Sequence, residues 1–308
     1  MAAATRKEDL VFRLITAFCA LLVILVMAGL FIELVRHSKL SLQAFGFDFL
    51  LSEKWNPVTG EFGAASSIYG TIVSTVIAMV LAVPLSLVIA LFLVELAPPR
   101  LSRVVGYGVE LLAAIPSIIY GMWGLFVFAP FMAGHVQPLF AKTLGFLPLF
   151  KGPPMGIGMM TAGIILALMV LPFISAVMRD VFRMVPPVVK ESAHGMGATT
   201  WEVMSKVTVR YGMRGLLGAS FLGLGRAIGE TMAVTFVIGN NHSISASLFS
   251  PGNSIASTLA NEFTEAAEPL YLSALVELGL VLFIVTLIIQ VIAQLWLGQA
   301  QKGAGSGF

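Results

Sequence analysis

The 308-residue sequence predicts an all-α integral membrane protein with about six transmembrane helices. Composition is the first reason: 58% of residues are hydrophobic and 11% charged, with mean hydropathy +0.95, whereas a soluble domain carries about 25% charge. The second is length. Apolar runs that can each cross a bilayer, for which about 20 residues are needed, lie at 11–35, 68–96, 109–132, 157–178, 213–239 and 271–297. The third is the distribution of charge, which collects in the segments between these runs.

Six spans place both termini on one side. That side holds twelve of the lysines and arginines, and the other holds five: Arg36, Lys39, Lys54, Lys142 and Lys151. The positive-inside rule therefore predicts a cytoplasmic N-terminus. The net charge of +2 is too small and too scattered for a nucleic-acid footprint. One cysteine, Cys19, inside an apolar run excludes a disulfide framework.

Taken in order, residues 1–10 read as a polar cytoplasmic N-terminus and 11–35 as a retained first span, too long for a cleaved signal. An external segment, 36–67, follows. The remaining five spans form a core over 68–298, with an internal loop at 179–212, an external loop at 240–270 and a tail at 299–308 whose Gly303–Gly307 stretch is flexible in composition. Pro116 and Pro172 each remove a backbone donor and predict kinks in the third and fourth spans.

The internal loop carries Val185-Pro186-Pro187 and then Val188 to Met204. Its prolines predict a helix restarting near Pro187, a turn at Gly195 and Gly197, and a second helix beginning near Thr200. Together these make a compact knob. Trp201, Val203, Met204 and Val207 in one stretch suit a docking surface better than a solvated connector.

The fifth span is the most informative. Gly223-Leu224-Gly225-Arg226-Ala227-Ile228-Gly229-Glu230-Thr231 places two charges in lipid, Arg226 about 20 Å along the helix at 1.5 Å per residue. An unpaired arginine at that depth costs about 2.5–3.5 kcal/mol, so it must face a partner or water. Spacing of i, i+4 predicts Glu230 as that partner. Gly215, Ala219, Gly223, Ala227 and Thr231 form one small-residue row, and Gly225, Gly229 and Ala233 another; such rows let helices approach closely. A guanidinium that grips two oxygens and a carboxylate that accepts a proton suit a protonated oxyanion such as hydrogen phosphate, while a purely structural ion pair remains the alternative.

Two stretches carry a family resemblance. Glu191-Ser192-Ala193, Gly197, Val207 and Val209 resemble the EAA loop of ABC-importer permeases, with Ser192 for alanine, Val207 for isoleucine and Val209-Arg210 for the closing Leu-Pro. The fifth-span sequence, with Gly239-Asn240, Ser250-Pro251-Gly252-Asn253-Ser254-Ile255 and Leu259-Ala260-Asn261-Glu262-Phe263, is similar to the C-type permeases of bacterial phosphate-specific transport. The resemblance is densest over 190–262 and weaker in the first 60 residues. It implies a type I importer permease fold in the bacterial inner membrane, making 36–67 and 240–270 periplasmic. It also implies a second, A-type permease, two cytoplasmic ATPase subunits and a periplasmic phosphate-binding protein as partners. Glu191, Ser192, Ala193, Gly197 and Trp201 would engage the ATPase through a coupling helix. Arg226, Glu230 and Thr231 would line the pathway, and Gly223, Gly225 and Gly229 would serve helix packing. Phosphate as the substrate comes from the resemblance; the residues alone leave a small oxyanion.

Other motifs fall away. Gly223-Leu224-Gly225 has neither the preceding strand nor the third glycine of a dinucleotide loop, and no Gly-Lys-Ser/Thr occurs, so ATP and Mg would be bound by the partner ATPase and no cofactor is implied here. His37, His135, His194 and His242 lack metal-ligand spacing and read as solvated. A secondary transporter, an intramembrane enzyme and a sulfate or molybdate permease are the competing classes.

Overall fold

The computed structural model describes the backbone of residues 2–304 and the side chains of 9–295. Among these residues, helices account for the fold. Five are long and apolar enough to cross a membrane: Asp9–His37, Ala65–Leu96, Ser117–Leu144, Met159–Arg183 and Pro269–Leu295. A sixth span is the pair Thr200–Ile228 and Met232–Ile238, bent by 61° at a short break.

The fourth span is the centre of the molecule. In its most apolar window 67% of residues are buried within the protein, against none in the first span. It packs most extensively on the second span, with the fifth next. Small residues permit these contacts: a Cβ at Gly163 would lie 2.6 Å from Ile77, and one at Gly223 would lie 2.5 Å from Ile174. Gly215 meets Val181 in the same way, so the first small-residue row is the seam between spans five and four. Gly225 instead faces Gln290 of the last span, and Gly229 lies at the break.

Two prolines act differently. Pro172 stays inside the continuous Met159–Arg183 helix, whereas Pro116 ends one helix, Pro99–Ala113, and precedes another, beginning at Ser117. The third span therefore runs over Ser117–Leu144, not 109–132, because the residue before a proline is driven out of helical conformation. Pro99–Ala113 is a separate helix packed on the fourth span. There Arg179 Nη2 donates to Glu110 Oε1.

The first helix touches the rest of the molecule mainly through the last span and the short helix Lys39–Phe45. The last helix runs on through Ala304, past the expected start of the tail; residues 305–308 lie outside the described residues.

Candidate functional site: the broken span, the knob and the outer loop

The fifth helix stops at Ile228. Gly229, Glu230 and Thr231 are non-helical, and a new seven-residue helix begins at Met232. Thr235 N bonds to Thr231 O at 3.0 Å, which restarts the ladder, and Glu230 Oε1 accepts from Ala233 N at 3.2 Å, which caps it. Thr231 Oγ1 donates back to Gly229 O at 3.3 Å.

This geometry corrects the expected pairing. The i, i+4 rule requires an unbroken helix, and here the break turns Glu230 away, so Arg226 and Glu230 form no ion pair among the described residues. Arg226 instead lies over the ring of Phe173, 5.8 Å from its centroid, on a face that is exposed in the single chain. Glu230 and Thr231 are half-buried. A guanidinium over a ring keeps its donors directed outward, free for an anion.

In the loop between the fourth and fifth spans, the helix Pro187–Gly195 is followed by a turn at Gly197, whose φ of 88° only glycine adopts without strain. Thr199 and Glu202 then form a capping box: Thr199 Oγ1 accepts from Glu202 N at 3.4 Å and Glu202 Oε2 accepts from Thr199 N at 3.1 Å. This opens the helix at Thr200. The knob's outer face shows Val188, Glu191, Ser192, Met196 and Trp201, the last 72% exposed. Ala193 points inward and is buried. Val203 and Met204 are buried as well, correcting the expectation that they belong to the exposed stretch; the π-helical turn Val203–Thr208 that they open packs on the knob helix and the fifth span.

Inward-facing Lys190 was not singled out by sequence. Its Nζ donates to Glu95 Oε1 at 2.5 Å, where Glu95 sits in the π-helical turn Phe92–Leu96 that closes the second span. No sequence pattern pairs residues 95 positions apart.

The outer loop holds a polar hub. Glu262 receives Trp55 Nε1, Tyr271 Oη at 2.8 Å and His242 Nε2 at 3.0 Å, while Trp55 stacks on the His242 ring. Burial opposes ionisation of Glu262, but the donors from His242, Tyr271 and Trp55 outweigh it and hold the carboxyl below its usual range. His242 is thus a structural bridge rather than a solvated loop histidine. Asn253 Nδ2 reaches Ser67 Oγ at 2.8 Å, and Ile255 N donates to Thr71 Oγ1 at 2.9 Å, fixing the loop to the second span. Glu277, buried in the last span, is a further charged residue that sequence reading passed over; one of its oxygens has no partner among the described residues.

Known proteins resemble the chain over nearly all of its length. Residues 62–299 match the family described as binding-protein-dependent transport system inner membrane component. The phosphate transport system permease protein PstC of Mesorhizobium japonicum is 52% identical over 97% of this chain and 92% of its own length. The protein of the same name from Pasteurella multocida is 52% identical over 96% and 94%. In fold, the chain is similar to a subunit in the crystal structure of a bacterial ABC transporter that imports the acidic polysaccharide alginate, with TM-score 0.65 over 93% of this chain and 95% of that one at 15% identity. It is also similar to a chain of the inward-facing MetNI methionine transporter, with TM-score 0.54 over 79% and 94% at 18% identity. With a family match across more than half its length and near full-length relatives at this identity, the chain belongs to the binding-protein-dependent transport system inner membrane components, the permease subunits of ABC importers.

Proposed function

We propose that this chain translocates inorganic phosphate from periplasm to cytoplasm as one of two permease subunits of an ATP-driven importer, with Arg226 on the path. One observation carries the reading: Arg226, deep in the fifth span, is exposed on the isolated chain. An arginine at that depth does not face hydrocarbon, so its face is closed by a second permease and lined by water and anion. The names of the relatives supply phosphate as the substrate. Glu230 and Thr231 follow at the break, where the carboxylate keeps acceptor capacity beyond its bond to Ala233 and suits an anion that still carries a proton.

The partners follow from the same reading. A similar A-type permease completes the path, a periplasmic phosphate-binding protein delivers the anion to the outer loops, and two ATPase subunits grip the knob at Glu191, Ser192, Ala193, Gly197 and Trp201. The chain sits in the inner membrane with its N-terminus in the cytoplasm. It supplies no catalytic group; ATP and Mg are held by the ATPase.

The test is uptake of labelled phosphate under excess sulfate by cells carrying the intact chain or Arg226→Gln, with insertion and assembly checked in both. Losing a bidentate charged contact is expected to lower uptake at least about tenfold. Unchanged uptake by a normally assembled variant would remove Arg226 from the path. Glu230→Gln is expected to weaken discrimination against sulfate, measured by competition in the same cells.

A further inference from the structure

The knob helix Pro187–Gly195 has two faces with different relations to the rest of the chain. Its outer face is open, and its inner face meets the protein through Lys190 and Ala193. Lys190 is bonded to Glu95 at 2.5 Å, and the two side chains are only 20% and 14% exposed. Among the described residues this is the one polar side-chain link between the knob helix and the second span. Beside it lies an apolar groove of about 390 Å³, bounded by Leu91, Phe92 and Leu96 on the second span and by Trp201, Met204 and Val209 on the knob side. No residue of Pro187–Gly195 lines this groove, so beside the packing of Ala193 the ion pair is the polar contact that ties the knob helix to the end of the second span.

The second span leads onward. Ser86 Oγ donates to Leu171 O at 3.0 Å, beside Pro172 in the fourth span, and the next residue, Phe173, carries Arg226 on its ring. A displacement of the knob relayed through Glu95 thus reaches the span that holds Arg226's support. The π-helical turn around Glu95 belongs to a class of helix irregularity that recurs at functional sites.

We propose that Lys190 and Glu95 are positioning residues for transport: their ion pair relays movement of the knob to the second span, so that ATP hydrolysis is coupled to opening of the path. This rests on the reading that the knob engages the ATPase.

The test uses the complete transporter in vesicles, with its companion permease, ATPase and binding protein, and reads phosphate taken up per ATP hydrolysed. Glu95→Gln and Lys190→Met are each expected to co-purify with the ATPase at the intact level and to lower that ratio about fivefold, the lower end of ordinary coupling strengths. The charge reversal Lys190→Glu with Glu95→Lys is expected to recover it to within about twofold. An unchanged ratio in the single variants overturns the proposal, as does failure of the reversal to recover the ratio in an assembled complex. Loss of the ATPase from the single variants also overturns it, because the pair is then a staple of the knob. Failure of the intact chain itself to retain the ATPase would refute the docking reading instead.

Discussion

Arg226 was legible in the sequence because a cation in an apolar run has few explanations, but its environment was not. The inference of an ion pair with Glu230 assumed an unbroken helix, and three residues, Gly229 to Thr231, remove that assumption. Pairs distant in sequence were invisible for a different reason: Trp55 and Glu262 are 207 positions apart, and no periodicity links them. The Glu262 hub carries its own prediction. Because its folded carboxyl is held below the usual range, the hub's contribution to stability is fully present above the ordinary carboxylate pKa and is lost as pH falls through the folded value. Glu262→Gln leaves buried donors poorly matched and is expected to cost about 1–3 kcal/mol near neutral pH, with the gap between variant and parent closing as pH falls through the lowered carboxyl value. Thermal unfolding of the detergent-solubilised protein at several pH values measures this. Gly223→Leu makes a second test at this scale. With Ile174 only 2.5 Å from the added Cβ, the seam between spans four and five must part, and the amount of folded protein recovered from membranes is expected to fall sharply.

At the scale of elements, the knob was the best-read part of the chain. Pro187, Gly197 and the helix start at Thr200 are short-range signals, and each sits where local chemistry dictates: a proline opening a helix, a glycine at positive φ, and a start that the structure shows to be capped reciprocally by Thr199 and Glu202. Which apolar residues remain on its surface was less legible, because Val203 and Met204 are buried by a helix whose direction only tertiary packing sets. Trp201 stays outside. Trp201→Ala is expected to leave the fold's stability within about 0.5 kcal/mol while weakening capture of the ATPase about tenfold, read by titrating the solubilised permease with that subunit. The third span shows the opposite case. Hydropathy alone merged Val109 to Ala113 with the residues after Pro116, and only the backbone restriction before proline divides the separate helix Pro99–Ala113 from the span that begins at Ser117.

Across the whole molecule, the number of spans followed from length and apolarity, since lipid admits few alternatives to helices. Their arrangement did not, because the fourth span is central by virtue of close glycine contacts that hydropathy does not report. The exposed first span, Asp9–His37, lies wholly before the family match that begins at residue 62, whereas Phe49 and Trp55 from the segment between them are built into the core of the matched region. The broken fifth span has a consequence for the solvent. Where the ladder lapses between Ile228 and Met232, peptide groups at membrane depth are deprived of helical partners, and hydrocarbon offers none. Under the proposed function, water in the path supplies the missing partner at this level of the bilayer. Deuterium should replace the amide proton of Thr231 well before those of Leu216 to Gly223, leaving an isotope-labelled island in the middle of an otherwise protected span.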